Sequence, residues 1–263
     1  MKYAAIRFKI DNRGVATLTL NHPEKHNAMS GKMISELSDV AAKLAKDPSV
    51  RVVILTGEGK SFCAGGDLDW MRAQFEADRE TRISEAMKLA RMLGALNVLP
   101  KPLIGRINGQ AFGGGIGMIS ICDIAFGVDT AWFGLTETRL GLIPATISPY
   151  VIAKMGEGKA RQVFMSGRRF DADEAMRLGL LSNAISKDEL DQVVEKEVAQ
   201  YLKSAPGAVA KAKALAASFG PSIDEAVMLR TANLLADCWE DIETQKGIAA
   251  FFEKRDPPWL VKD

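Results

Sequence analysis

The stretch AFGGGIGM at residues 111–118 places four glycines within five positions, directly ahead of an apolar run. Glycine inside regular structure costs about 0.5–1 kcal/mol of stability relative to alanine. A glycine cluster beside a core segment therefore indicates that another group must approach the main chain closely at this point. That group is either another part of the protein or a ligand.

The composition is that of an ordinary globular chain, with 263 residues, 47% hydrophobic and 25% charged. Lys and Arg total 34, and Asp and Glu total 33. The chain therefore lacks the excess of positive charge that attracts nucleic acid or an anionic membrane surface. The first residues carry a charge every few positions, and no run reaches about 18 uninterrupted apolar residues. These features predict a cytoplasmic protein without a nucleic-acid or membrane partner.

The cysteines and histidines argue against several kinds of site. The three cysteines, Cys63, Cys122 and Cys238, are widely spaced and odd in number, which is typical of a reducing compartment. The two histidines, His22 and His26, lie in one polar loop and give little material for a histidine-based metal site or a Ser-His-Asp triad. We expect no metal, and we interpret Cys63 as a small packing residue because its spacing to His26 does not support a cysteine hydrolase.

Short strand-like runs alternate with helical runs in the first part of the chain. The strand-like runs cover residues 16–20, 51–56, 102–107 and 122–126. The second of them is nearly all apolar, which predicts burial on both faces. Helices are predicted at residues 30–47, with Ser30 as the N-cap, and at residues 82–96.

The pattern changes at about residue 186, after which strand-like runs disappear. Four helical runs follow, at residues 187–204, 206–219, 222–239 and 241–255. The change predicts an α/β core over residues 1–186 and a helical region over residues 187–263.

Two of the predicted strands end in similar glycine-rich segments, GEGKSFCAGGDLDWM at residues 57–71 and NGQAFGGGIGMISIC at residues 108–122. Each segment opens into a helix and so delivers unpaired backbone N–H groups, which suit a negatively charged oxygen. If the two loops lie side by side, one amide from each can bind the same oxygen and form an oxyanion hole. A dinucleotide-binding fingerprint is excluded, because the sixth position counted from Gly113 or Gly115 is Met118 or Ser120 rather than glycine.

Four blocks, in this order and spacing, resemble the crotonase (enoyl-CoA hydratase/isomerase) superfamily. They are SFCAGGDLDWM, INGQAFGGGIGMISICDIAFG, AWFGLTETRLGLIPATISPYV and SGRRFDADEAMRLGLLS. The resemblance runs from the NHPEKHNAM loop to AFFEKR and thus covers almost the whole chain. It implies an α/β spiral of repeated ββα turns with a helical C-terminal trimerisation region. It also implies a substrate bound as a coenzyme A thioester, no separate cofactor, and a homotrimer or a dimer of trimers.

The resemblance assigns roles to particular residues. The backbone N–H groups of Gly66 and Gly114 would bind the thioester oxygen as it becomes an enolate. Glu137, in the block FGLTETRLG, matches one of the two catalytic glutamates of hydratases and would act as acid and base. The expected activity is syn addition or removal of water across the 2,3 double bond of an acyl-CoA thioester.

Further residues are expected by resemblance to contact the substrate. Some belong to loops expected near the adenine and pantetheine, and others belong to the acyl site or the final helix. The residues are Lys25, His26, Ala28, Ala64, Asp67, Leu68, Phe112, Thr136, Leu142, Phe251 and Lys254. Asp67 is also expected to cap the following helix. Asp123, which stands between apolar residues, is interpreted as a structural carboxylate.

The sequence departs from the family pattern at Gly117, where two-glutamate hydratases carry their other glutamate. The missing side chain predicts extra room for a branched or carboxylated acyl group. Within the family, LTETRLGLIPATISPYV and GGGIGMIS look most similar to bacterial hydratases of the methylglutaconyl-CoA type, which favours 3-methylglutaconyl-CoA as a substrate. A double-bond isomerase with Glu137 as its only base and a non-catalytic binding protein of the same fold remain alternatives.

Overall fold

The fold is built on two sheets, seen in a computed structural model that describes residues 3–261. Within these residues the strands are β1 (Ile6–Ile10), β2 (Val15–Leu20), β3 (Val52–Gly57), β4 (Ser61–Cys63), β5 (Leu103–Ile107), β6 (Gln110–Phe112), β7 (Ile124–Val128), β8 (Trp132–Gly134), β9 (Arg169–Asp171) and β10 (Asn183–Ile185). The first sheet has the order β1-β2-β3-β5-β7-β10, and the second has the order β4-β6-β8-β9.

Most neighbouring strands are parallel. In the first sheet only β1, paired with β2, is antiparallel to its neighbour, and in the second sheet only β9, paired with β8, is antiparallel. The consecutive pairs β3/β4, β5/β6 and β7/β8 each give one strand to each sheet, so the chain advances as a spiral. The predicted α/β spiral of ββα turns is confirmed.

The helices within the described residues cover the sheets and form the C-terminal part. They are α1 (Gly31–Lys46), α2 (Leu68–Glu76), α3 (Arg79–Asn97), α4 (Gly114–Ser120), α5 (Ser148–Met155), α6 (Glu157–Phe164), α7 (Ala172–Leu178), α8 (Leu190–Leu202), α9 (Pro206–Ser218), α10 (Glu225–Glu240) and α11 (Ile242–Phe252). Short 3₁₀ helices stand at Pro23–Lys25 and Glu137–Leu140. In the part of the chain that the structure describes, no helix is both long and apolar enough to cross a membrane.

Local chemistry explains where the main helices begin. Ser30 accepts a hydrogen bond from Met33 N at 3.2 Å, as an N-cap does, and α1 then buries one apolar stripe. Helix α3 begins three residues earlier than the sequence pattern predicts, because Asp78 caps it by accepting from Thr81 N at 2.8 Å. The first turn of α3 contains only polar residues, so the apolar pattern in the sequence does not indicate it.

The core lies around the central strands. Strand β3 is buried along almost its whole length, as its composition predicts. The largest fully buried side chains include Phe62, Phe133 and Phe170, and the rings of the last two are stacked with centroids 5.8 Å apart. These aromatic residues all belong to the second sheet, which therefore forms a rigid support for the loops that leave its strands.

The four C-terminal helices follow the last strand, which ends at Ile185. Helix α8 packs against the first sheet, α10 packs along α3, and α11 packs against the 3₁₀ helix Glu137–Leu140. This last contact places α11 beside the second sheet's loops. The division at residue 186 and the trimerisation role of the helical region stay predictions.

Candidate active site

The first glycine loop, residues 64–67, joins β4 to α2 and is fixed by Met29. Met29 N donates to Gly65 O at 2.7 Å, and Asp67 N donates to Met29 O at 3.0 Å. In such a parallel bridge the residue between the two bonds directs its own N–H away from the partner strand. That residue is Gly66, and no acceptor for its N–H is found within residues 3–261.

The second glycine loop turns sharply from β6 into α4. Gly113 has φ +49°, a conformation that side-chain-bearing residues rarely adopt, and its N–H donates to Gly134 O at 2.9 Å. Gly114 is the first residue of α4, and its N–H has no acceptor among the described residues. An unpaired donor is expected there, because the first turn of a helix has no preceding carbonyls to accept its N–H groups.

The two loops meet. A Cβ atom at Gly65 would lie 3.1 Å from Phe112 O and 3.8 Å from Gly113 Cα, which is close to the limit of van der Waals contact. Gly65 itself has φ +96°. Both glycines therefore serve the close approach of one loop to the other, as the glycine clusters in the sequence indicated.

Glu137 stands beside this contact, at the start of the 3₁₀ helix that follows β8. A Cβ atom at Gly113 would lie 3.1 Å from Glu137 Oε1, so this carboxylate rests against bare backbone. Its Oε2 atom is buried and has no hydrogen-bond partner. Burial raises the pKa of Glu137 to about 7, although its own backbone N–H opposes the shift. A carboxyl group with this pKa exchanges protons readily near neutral pH.

These parts line one cavity of about 410 Å³. Predicted site residues in its lining are Gly66, Gly114 and Glu137, together with Ala64, Leu68, Phe112, Thr136, Leu142 and Phe251. The lining is mostly apolar, which is typical of a pocket for a small organic ligand. The cavity therefore brings together segments that lie far apart in the chain, from the glycine loops to the last helix.

The other predicted contact residues lie outside the cavity lining: Lys25, His26, Ala28, Asp67 and Lys254. Lys25 Nζ forms ion pairs with Asp67 Oδ2 at 2.9 Å and with Asp69 Oδ2 at 2.7 Å, and these hydrogen bonds raise the pKa of Lys25. Asp67 also accepts from Asp69 N and Trp70 N, so it caps α2 as predicted.

The remaining three of those residues differ in exposure. His26 Nδ1 lies 2.9 Å from Ser61 Oγ, Ala28 is buried, and Lys254 is exposed with φ +55° beyond the end of α11. Contact of these residues with coenzyme A stays a prediction.

The prediction that Gly117 leaves room for the acyl group is wrong. A Cβ atom there would lie 2.6 Å from Ile147 Cγ2 and 3.6 Å from Leu93 Cδ1. The side chain of Ile147 already occupies the volume that a longer residue at position 117 would need. Gly117 thus serves tight packing of α4 and is not part of the cavity lining.

Two other interpretations are confirmed. Asp123 accepts from Leu103 N at 2.7 Å and from Lys213 Nζ at 2.9 Å, so it is a structural carboxylate. Cys63 is fully buried, and burial raises the pKa of its thiol to about 12, which keeps it protonated and unreactive. Among the described residues no cluster of three or more His, Cys, Asp or Glu side chains is arranged to hold a metal ion.

Several lining residues gave no recognisable signal in the sequence. Met29 covers Gly114 with its methyl group, and Trp70, Arg139, Thr146 and Arg169 also face the cavity. Arg169 extends over the ring of Phe112, with its guanidinium carbon 5.3 Å from the ring centroid. These residues come from separate helices, loops and strands, so only the folded chain brings them together.

Comparison with known proteins identifies relatives along nearly the whole chain. The family model described as enoyl-CoA hydratase/isomerase matches residues 11–262. A curated Thermus thermophilus protein with an enoyl-CoA hydratase name is 31% identical over 252 residues, which is 95% of this chain and 98% of the relative.

Solved structures agree with the family match. An enoyl-CoA hydratase from Shewanella pealeana is 37% identical with a TM-score of 0.81, covering 98% of this chain and 97% of its own. An enoyl-CoA hydratase from Mycobacterium avium is 31% identical with a TM-score of 0.85, covering 98% of this chain and 99% of its own.

Proposed function

The chain is an enzyme of the enoyl-CoA hydratase/isomerase family, and on that premise we propose that it adds water across the 2,3 double bond of an enoyl-CoA thioester. The observation that carries the proposal is the buried, unpartnered Oε2 of Glu137 in the cavity that the two glycine loops also line. The reverse reaction, removal of water from a 3-hydroxyacyl thioester, follows from the same site.

The N–H groups of Gly66 and Gly114 are proposed to hold the thioester oxygen. Both lack a protein acceptor within residues 3–261, and both residues line the cavity. Two backbone donors on one oxygen stabilise the enolate more than the ground-state carbonyl, because negative charge develops there only as the reaction proceeds. Removing one donor from such a site typically costs about 100- to 1,000-fold in rate.

Glu137 is proposed to carry the proton. Its carboxylate takes a proton from water while the water oxygen bonds to Cβ. The C=C π pair forms a new double bond between Cα and the thioester carbon, and the carbonyl π pair moves to the thioester oxygen. The enolate then collapses and takes the same proton at Cα, on the face from which water added. One carboxylate thus serves as base and then as acid, and no second glutamate is needed for the proton balance.

A branched, carboxylated acyl group such as 3-methylglutaconyl is the substrate class that we propose. Free space beside Gly117 does not support this substrate class, because Ile147 fills that space. Two arginines of the cavity lining support it instead. Arg139 and Arg169 line the cavity, and neither forms an ion pair within the described part of the chain. An arginine without a protein carboxylate can bind the carboxylate of a ligand through paired hydrogen bonds.

Double-bond isomerisation is the second candidate function. Glu137 is the one carboxylate among the cavity-lining residues that the structure describes, and moving a double bond between Cγ and Cα needs a single base and an oxyanion hole. Hydration and isomerisation are separated by product analysis on 2-enoyl and 3-enoyl thioesters.

The test is a substrate screen with the wild type, Glu137→Gln and the exposed control Glu157→Gln. We expect turnover of 3-methylglutaconyl-CoA with a higher kcat/KM than crotonyl-CoA. Glu137→Gln should lower kcat by about 100- to 10,000-fold while thioester binding persists, and the control should match the wild type. Full hydration activity in Glu137→Gln would place the chemistry elsewhere, and a preference for crotonyl-CoA would refute the carboxylated substrate.

We also propose that the chain forms a homotrimer or a dimer of trimers in the cytoplasm. Large apolar side chains are exposed on the C-terminal helices and the turn after α9, including Leu215, Phe219 and Ile242. Leu215 and Phe219 are four residues apart and so share one face at the end of α9, and an exposed apolar face is typical of an interface between subunits. Sedimentation velocity distinguishes these assemblies from a monomer.

A further inference from the structure

Thr146 is a cavity-lining residue whose hydroxyl group is buried. The residue is only 5% exposed and lines the same cavity as Glu137. Its Oγ1 atom is buried and has no hydrogen-bond partner. A buried hydroxyl without a partner costs stability, so such a group in a ligand cavity indicates that the ligand or a bound water supplies the missing hydrogen bond.

The backbone on both sides of Thr146 is fixed. Ala145 O accepts from Ser148 Oγ at 2.7 Å and from Ser148 N at 3.1 Å. Ile147 O accepts from Tyr150 N and from Val151 N, each at 3.1 Å. The position of the Thr146 side chain is therefore set by the start of α5 rather than by a mobile loop.

The same segment closes the space at Gly117. Ile147 packs its Cγ2 against the position that a Cβ at residue 117 would take, and both Ile147 and the preceding Thr146 line the cavity. At the position where two-glutamate hydratases carry their other glutamate this chain has Gly117, with the side chain of Ile147 packed against it and Thr146 just before Ile147 in the chain. Two residues that line the cavity thus carry a buried polar side-chain atom without a partner: Glu137 Oε2 can accept a hydrogen bond, whereas Thr146 Oγ1 can both donate and accept.

We propose that Thr146 is a water-positioning residue, whose hydroxyl holds the attacking water while Glu137 removes its proton. This inference rests on the proposed hydration. The water oxygen bonds to Cβ, its proton passes to Glu137 and then to Cα, and Thr146 neither gains nor loses a proton overall. A hydrogen bond to the water oxygen keeps one lone pair directed at Cβ, which matters because small displacements of a reacting group cost large factors in rate.

Thr146→Val tests the proposal, because valine keeps the shape and removes the hydroxyl. We expect kcat for hydration to fall by about 10- to 100-fold with KM little changed. Thr146→Ser, which restores a hydroxyl, should recover most of the activity. The matched control is Thr138→Val: the Thr138 hydroxyl is likewise buried without a partner but lies outside the cavity lining, so hydration should persist.

A second measurement separates water positioning from damage to the site. Exchange of the Cα proton of a saturated acyl-CoA with D₂O needs Glu137 and the oxyanion donors but no water at Cβ. Thr146→Val should keep the exchange rate of the wild type while losing hydration. Equal losses of exchange and hydration would show a structural role for Thr146 and overturn the proposal, as would wild-type hydration in Thr146→Val.

Failure of the proposed function looks different from failure of this inference. A wild type that exchanges the Cα proton or isomerises 3-enoyl thioesters but never hydrates 2-enoyl thioesters would refute hydration itself and the role of Thr146 with it. A wild type that hydrates, together with an equally active Thr146→Val, refutes only the role of Thr146. Thermal unfolding of each variant confirms that the folded state is being compared.

Discussion

Two carboxylates stand beside the same glycine loops in opposite surroundings. At the start of α2, Asp67 accepts hydrogen bonds from Lys25 Nζ and two backbone N–H groups. Burial alone raises the pKa of Asp67, but these bonds outweigh it and hold the pKa below its usual value. In the cavity, Glu137 has a buried oxygen without any partner, and burial raises its pKa to about 7.

The comparison shows that hydrogen-bond partners decide whether burial raises the pKa of a carboxyl group. Asp67 has its hydrogen-bonding capacity filled by the protein, so it stabilises a helix and a loop contact. Glu137 Oε2 accepts no hydrogen bond from the protein, so a ligand or a water molecule must donate one. The residue whose environment destabilises its charge is the one that is able to transfer a proton near neutral pH.

The largest expected effect of this difference is on the pH dependence of activity. Glu137 must be ionised to take a proton from water, so kcat/KM should rise about tenfold per pH unit below pH 7 and level off above it. Between pH 5 and pH 7 this amounts to about 50-fold, because only half of the Glu137 side chains are ionised at pH 7. Steady-state rates on a 2-enoyl thioester measure it, and a profile that levels off near pH 4.5 would show that burial does not set the pKa of this group.

The next effect is on stability, and its sign is opposite to that expected for Asp67, whose partners lower its pKa. Because the folded-state pKa lies above the usual 4.5, the folded protein holds its proton longer than the unfolded chain does. Stability therefore falls as the pH rises from about 4.5 to about 7 and stays reduced above that range. Glu137→Gln removes this penalty and should raise the free energy of unfolding at pH 8 by about 3 kcal/mol.

Urea denaturation of the wild type and Glu137→Gln at pH 8 and pH 5 measures this difference. The gain should shrink at pH 5, where the folded wild type keeps Glu137 protonated. Glu157→Gln, an exposed glutamate on α6, should show neither the gain nor its pH dependence. An equal gain at both pH values would mean that the amide packs better, without any role for charge.

The smallest effect concerns Asp67, where removing the carboxylate should destabilise the protein. Asp67→Ala loses the cap of α2 and the ion pair with Lys25, and should lower the free energy of unfolding by about 1–2 kcal/mol. Asp78→Ala removes a cap of the same kind from α3 and should cost about 1 kcal/mol. The depressed pKa of Asp67 gives stability that is present above the usual aspartate range and is lost as the pH falls below it.

Thermal unfolding at neutral and acidic pH measures both aspartate variants. The difference between wild type and Asp67→Ala should narrow as Asp67 becomes protonated in the wild type. A loss of kcat in Asp67→Ala as large as that in Glu137→Gln would contradict the comparison, because it would place both carboxylates in the chemistry.

The sequence predicted the parts of the fold whose signal is local. Nearly continuous apolar runs such as β3 and the apolar stripe of amphipathic helices such as α1 are clear local signals, and the family motif identified Glu137 and both glycine loops. Strands β4 and β6 were missed because three residues are too few to show an alternating pattern.

The site was only partly predictable for a different reason. Met29, Thr146 and Arg169 reach the cavity from separate segments, and their side chains have no spacing that indicates a shared site. The packing of Ile147 against Gly117 joins the residue before α5 to a residue of α4, so the absence of a side chain at residue 117 does not give the free volume that the sequence predicts. Volume depends on what packs opposite, which a single sequence does not display.

The contact between Ile147 and Gly117 also limits how this protein can change over time. A glutamate at residue 117 would collide with Ile147, and shortening Ile147 to alanine first would open a hole in the interior that costs about 2–5 kcal/mol. Either order of substitution passes through an impaired intermediate. A change from one cavity carboxylate to two at residue 117 is therefore unfavourable by single substitutions at these two positions, and it requires both substitutions together.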